Sequence, residues 1–136
     1  MSDLYAVDLA LNLRDSVPHT VLADLRWHLG EEERAVDEEL DMYPLLASRG
    51  PAVRIGGVRV AELARTAGGW ALTVRYEIHA EVLPDFDSLV ERLVRHSDTE
   101  GHIGQIRFHE EYVPELLINR SGTLTRLPLT PKATPQ

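Results

Sequence analysis

Two stretches of period-two alternation and two stretches of helical spacing predict an α+β domain with the element order β-α-β-β-α-β. Residues 4–13 and 70–79 alternate apolar and mixed side chains, which is the periodicity of a strand with one buried face. Residues 17–29 and 85–96 carry a single apolar stripe each, which suits a helix lying on a sheet better than one inside a bundle. The expected architecture is therefore a split βαβ (ferredoxin-like) sandwich. It has a four-stranded antiparallel sheet with both helices on one face, followed by a C-terminal β-hairpin.

The elements follow in order. In 4–13, Tyr5, Val7, Leu9, Leu11 and Leu13 share one face. Asp15 or Ser16 caps the first helix, and Pro18 occupies its first turn, where the missing N–H costs nothing. Gly30 is the expected terminator. Val36, Leu40 and Tyr43 are spaced for a second short helix, but like charges crowd that segment, and 41–57 reads as mostly irregular. Residues 58–66 read as a strand with a slip in alternation near Val60, and Ala67-Gly68-Gly69 as the turn into 70–79. Asp85 is the expected cap of the second helix, after Pro84. A strand at 103–109 and a hairpin at 115–127, turning at Asn119-Arg120-Ser121-Gly122, complete the domain at 1–127. Residues 128–136 read as a flexible, proline-rich tail.

Bulk properties narrow the function. A chain of 136 residues fits one domain with a real core. The absence of cysteine excludes disulfides, thiolate nucleophiles and cysteine-ligated metals, and fits a reducing cytoplasm. Met1-Ser2-Asp3-Leu4 opens no signal peptide, and no stretch is apolar enough for a membrane helix. The net charge is −8, much of it in residues 31–41, where seven acidic side chains face the single Arg34. Such a balance repels phosphate backbones and anionic membranes, so neither nucleic acid nor membrane is an expected partner. The acidic run could dock a basic partner, but runs of this kind are more often solvated faces.

A sheet with helices on one side leaves the other side to water, a ligand or a second copy. With the strand at 4–13 central, that open face should carry Asp8, Ala10 and Asn12. Thr73, Arg75, Glu77 and His79 flank them on one side, and Ile103, Gln105, Arg107 and His109 on the other. Asp8, Arg75, Arg107 and His109 are the candidate catalytic residues: a carboxylate beside an imidazole can exchange protons, and an arginine can hold an anion. The same residues also read as cross-strand ion pairs. His96, Asp98, Glu100 and His102 form a second candidate, for a divalent metal, although their spacing matches no standard site and a charged surface loop accounts for them equally. His109-Glu110-Glu111-Tyr112 is not the His-Glu-x-x-His zinc motif, because position 113 is valine. Gly50, Gly56 and Gly57 make no phosphate loop and suit tight turns. Trp70 and Tyr76 fall on the apolar face, and the open face offers no aromatic for base stacking. No motif requires a cofactor.

In element order over residues 4–109, the chain resembles the dimeric α/β-barrel group, which includes small cofactor-free monooxygenases and haem-degrading enzymes. That resemblance implies pairing of two sheets face to face. Leu25-Arg26-Trp27-His28-Leu29-Gly30, Leu45 to Ala52 and Arg54-Ile55-Gly56-Gly57-Val58 are similar to a group of small uncharacterised bacterial proteins with no assigned activity. That likeness implies one intact domain and adds no mechanism.

The sequence thus leads to a cytoplasmic domain of no assignable catalytic activity that self-associates, as a homodimer, through its sheet face or C-terminal hairpin. One alternative is a small cofactor-free enzyme or ligand-binding protein. Its pocket would lie on the open face, for a small-molecule ligand, with His109 as the acid–base group. The other is a divalent-metal-binding protein using His96, Asp98, Glu100 and His102.

Overall fold

The computed structural model describes residues 3–32 and 43–129. Strand β1 (Leu4–Arg14) leads into helix α1 (His19–His28). Next come the short β2 (Gly50–Pro51), β3 (Val58–Thr66) and β4 (Gly69–His79). A single 3₁₀ turn (Ala80–Val82) runs into helix α2 (Leu83–Val94). Strands β5 (Gly101–Phe108), β6 (Glu115–Arg120) and β7 (Thr123–Pro128) follow.

All seven strands join one antiparallel sheet in the order β2-β3-β4-β1-β5-β6-β7. This corrects the expected fold class. The described residues form a sheet-dominated fold with two short helices of 10 and 12 residues, not a ferredoxin-like βαβ sandwich of the α+β class. The reason is physical. The C-terminal hairpin is no appendage, because β6 pairs with β5 through Gly101↔Asn119 to Ile106↔Glu115 and carries the sheet two strands further. At the opposite edge, β2 pairs with the start of β3. The likeness to dimeric α/β-barrel proteins rested on the smaller architecture and is withdrawn with it.

The period-two readings locate the core. Cross-strand partners share a sheet face, so Ala61, Val74, Leu9, Gly104 and Leu117 form one row beneath the helices, and Leu63, Leu72 and Leu11 form the next. Phe86, Leu89, Val90, Leu93 and Val94 of α2 and Leu25 and Leu29 of the α1 end complete one buried cluster with them. α2 begins earlier than expected: Leu83 is its first residue and Pro84 lies in its first turn, so Asp85 is inside the helix and caps nothing. α1 begins at His19, with Pro18 in the capping position and neither Asp15 nor Ser16 bonded to it. Gly30 does end α1, at φ +77°. The acidic residues from 33 to 41 and the helix read there lie outside the described residues.

The hairpin is fastened to α2 by charge. Arg126 on β7 bonds Asp87 of α2 at 2.9 Å and also pairs with Glu115 on β6. Burial pushes the Asp87 carboxyl above its ordinary value; Arg126 opposes this, while Glu115 and Glu91 add to it.

Candidate functional site

Transverse rows of paired residues define the face that the helices leave bare. One row runs Val60, Arg75, Asp8, Gln105, Leu116, Leu127; beside it lie Glu62, Thr73, Ala10 and, on the other side, Glu77, Ala6, Arg107. A shallow groove of about 370 Å³ crosses the middle, lined by Asp8, Ala10, Thr73, Arg75, His102 and Gln105.

Of the four candidate catalytic residues, only Asp8 and Arg75 reach this groove. They are direct cross-strand partners. The Arg75 guanidinium, however, turns toward the β2–β3 loop and donates to the carbonyls of Val58 (2.9 Å) and Ile55 (3.4 Å). Arg107 spends Nη1 on three carbonyls, those of Phe108, His109 and Glu111, and so fixes the turn after β5. His109 lies beyond the strand end, where its ring rests 4.7 Å from that of Phe108 and its N–H donates to Leu4 O. The four do not converge, and proton exchange between Asp8 and His109 has no geometry to support it.

The metal candidate is also dispersed. Asp98 pairs with Arg14 at 3.0 Å, and its N–H donates to Asn12 O. The Glu100 carboxylate accepts the Ser121 N–H (2.9 and 3.1 Å) and braces the β6–β7 turn. His96 lies just past α2, where its N–H donates to Leu93 O and its carbonyl accepts from Arg14 N. His102 sits on the bare face opposite Ile118. Among the described residues, no three His, Asp or Glu side chains gather as metal ligands would. The 95–101 loop carries these residue types because it is stitched to β1 and the hairpin, with Ser97 Oγ donating to Asn12 O and Asn119 Nδ2 to Thr99 O.

A second concavity, missed in the sequence, lies where β4 ends. It encloses about 260 Å³ among Leu45, Ser48, Arg59, Tyr76, Ile78 and Val82, with Tyr43, Glu77, His79 and Asp85 also in its wall. Its parts are rigidly held. The Tyr76 hydroxyl donates to Ser48 O at 2.7 Å. Arg49 ties the 46–49 segment to α1 and β3, donating to the carbonyls of Leu46, Ser48, Leu29 and Ala61. The Arg59 guanidinium lies 5.8 Å from the centre of the Tyr76 ring and donates to Arg49 O at 2.8 Å. Its Nε is buried and has no hydrogen-bond partner among the described residues.

Glu77 is the electrostatic anchor beside this cavity. Only 8% exposed, its carboxylate accepts the successive N–H groups of Val53, Arg54 (2.6 Å) and Ile55 (3.4 Å). Burial pushes its pKa up, but the three N–H donors and the Arg59 charge together outweigh burial and hold it below the ordinary carboxylate value. The loop can present three N–H groups to one carboxylate because Gly56 and Gly57 turn the chain back at φ +75° and +69°. The one sequence signal for this arrangement was the Gly-Gly pair, two positions after Arg54; nothing linked it to Glu77.

Fold and sites together define a sheet-dominated domain with one helix-covered face, one bare face and a small rigid cavity at the rim. No protein-family model, curated protein or solved structure matches the chain. Among the described residues, no helix is long and apolar enough to cross a membrane.

Proposed function

We propose that this domain acts as a cytoplasmic homodimer, two copies meeting through the bare sheet face. The observation that carries the reading is the make-up of that face on a chain of net charge −8. Its carboxylates Asp8, Glu62 and Glu77 are set against Arg75 and Arg107, and Glu77 is already met by backbone donors. Elsewhere two acidic surfaces repel; here the charges nearly balance. The centre is small-chained, with Ala6, Ala10, Ala64 and Ala71 around the shallow groove, while Leu116, Ile118 and the 43%-exposed Leu127 supply apolar mass toward one edge.

Size also favours it. Strands about 4.8 Å apart and rising about 3.4 Å per residue give the five strands from β3 to β6 a face of roughly 700 Å². A stable dimer needs about 800 Å² per partner, and the rim adds to the bare face. Light scattering on a sizing column tests the reading directly. The expected mass at micromolar concentration is twice the 15.3 kDa of one chain. Ala10→Glu, which puts a charge at the exposed centre of the face, is expected to give monomer with an unchanged circular dichroism spectrum. A wild-type protein that stays monomeric to about 100 μM, a Kd above which stable dimers do not fall, rejects the proposal.

A further inference from the structure

We infer that the joint between α2 and the edge strand β7 is a proton-operated latch: Asp87 takes up a proton as the joint closes, so mild acid fastens β7 and neutral pH loosens it. This goes beyond self-association, since the joint lies on the helix-covered side of the sheet.

β7 is the last strand of the sheet, with β6 as its strand neighbour and α2 packed against it. The Arg126 guanidinium on β7 is the cation at that joint. It donates from Nη1 to Asp87 Oδ2 at 2.9 Å and pairs through Nε with Glu115 on β6. Glu91, one helical turn on from Asp87 along α2, adds a third carboxylate. With every group ionised, three negative charges surround one positive charge.

Asp87 is the carboxylate placed to give up its charge. Its side chain is 23% exposed, and its Oδ1 is buried without a hydrogen-bond donor among the described residues. A neutral carboxyl group costs less to bury in that state than an ionised one. Glu91, by contrast, is exposed to water. Neutralising Asp87 leaves Arg126 paired with Glu115, so the joint keeps an ion pair and sheds its excess negative charge.

The sign of the linkage follows from which groups leave when β7 lifts. Burial, the largest cause, pushes the Asp87 carboxyl above its ordinary value; Arg126 opposes this, while Glu115 and Glu91 add to it. Opening the joint removes the burial, Arg126 and Glu115 together, and leaves Glu91 in place on the same helix. The closed joint therefore binds the proton more tightly than the open one. Its stability rises as pH falls through the raised value, and the gain is complete below the ordinary aspartate value of about 3.9. A plain salt bridge between Arg126 and Asp87 would do the opposite and loosen in acid.

The test is amide hydrogen exchange of the full chain, expressed as protection relative to the free-peptide rate at each pH. Alternate pairs outward from the Ser121-Gly122 turn exchange hydrogen bonds, so the Thr125 and Leu127 amides point at β6 and report on β7. Their protection is expected to rise about twofold or more from about pH 7 to about pH 4.5. It is expected to stay below that of Leu72 and Val74 in β4, which report opening of the whole domain. Asp87→Asn, neutral at every pH, is expected to hold the higher protection at neutral pH and to lose the change. Glu115→Gln is expected to shrink it. The rise is expected to persist in Ala10→Glu, which separates the latch from pairing through the sheet face. Four results overturn the inference: β7 protection that falls or stays level in acid; an Asp87→Asn protein that keeps the parental change; β7 protection equal to that of β4 at both pH values; or a rise that vanishes in Ala10→Glu. The carboxyl-carbon titration of Asp87 in the parent needs no variant. A midpoint at or below the ordinary aspartate value rejects the latch even if a substituted protein fails to fold.

Discussion

Gly104→Ala is expected to cost the protein about 3 kcal/mol or more of folding stability. Gly104 faces Leu9 across the β1–β5 pair, one residue after the pairing shifts between His102 and Gly104. A Cβ at this position would lie 2.1 Å from Asp8 O, 3.0 Å from Leu9 Cα and 3.1 Å from Asp8 C. All three are backbone atoms of the central strand, which is hydrogen-bonded on both sides and cannot yield as a side-chain tip would. The new methyl group must therefore push β5 away from β1 and disturb Asp8↔Gln105 and Val7↔Ile106 beside it. Gly68→Ala is the matched control: a Cβ there meets nothing within 4 Å, and no positive φ demands glycine. Its stability from urea unfolding is expected within about 0.5 kcal/mol of the parent, or slightly above through the loss of unfolded-state entropy. A Gly104→Ala protein as stable as Gly68→Ala would show that β1 and β5 do not approach this closely.

The same register shift explains where the sequence stopped being readable. Alternation locates β1 and β4 because apolar residues recur at every second position and each strand has one face beneath the helices. Carried through 103–109, it puts Ile103, Gln105, Arg107 and His109 on one bare face. The irregularity at His102/Gly104 breaks the count: Ile103 is 2% exposed and belongs to the core, while His102 takes the place on the bare face. One residue of slip moved a histidine into the groove, and the early end of β5 at Phe108 took His109 out of it. The seven-stranded sheet was beyond reach for a related reason. A hairpin's sequence reports its own two strands and its turn, here Ser121-Gly122, but not whether its edge pairs with a strand before it.

Site residues were less legible than core residues because polar side chains have many uses that sequence does not separate. Arg75, Arg107 and Arg49 all serve as carbonyl pins, each holding a connecting segment through side chain-to-backbone bonds. In the sequence Arg75 and Arg107 looked like ligand-binding arginines. Arg59, the one with a buried unmet donor, stands in a strand reading Val58-Arg59-Val60 and gave no signal. What separates it from the others is not its type but an Nε that packing has buried without an acceptor among the described residues, a property of three-dimensional structure alone.

Acid is expected to erase most of what Glu77 contributes, and Glu77→Gln is expected to make that visible. At neutral pH the variant should be about 2–3 kcal/mol less stable, because an amide offers one acceptor oxygen and places an N–H₂ group against the donors of Val53, Arg54 and Ile55. The sign with pH follows from the lowered folded-state pKa. Above the unfolded carboxylate value, about 4.3, the charged form is held more tightly in the folded protein and its full contribution is present. As pH falls through the lower folded value, both states become protonated and the contribution disappears. The difference in stability between parent and Glu77→Gln should therefore be constant from about pH 8 to pH 5.5 and close steadily below about pH 4.5. Parental stability alone would not reveal this. Asp87 has a raised pKa and works in the opposite direction, gaining stability as it takes up a proton, so the two slopes partly cancel. Asp87 lies in α2, on the face that meets β7, and has no shared hydrogen bond with Glu77, so subtracting the two curves removes its effect. A gap that stays open at pH 3 would mean that Glu77 acts through its shape and not its charge, and the loop from Val53 to Ile55 would then need another anchor.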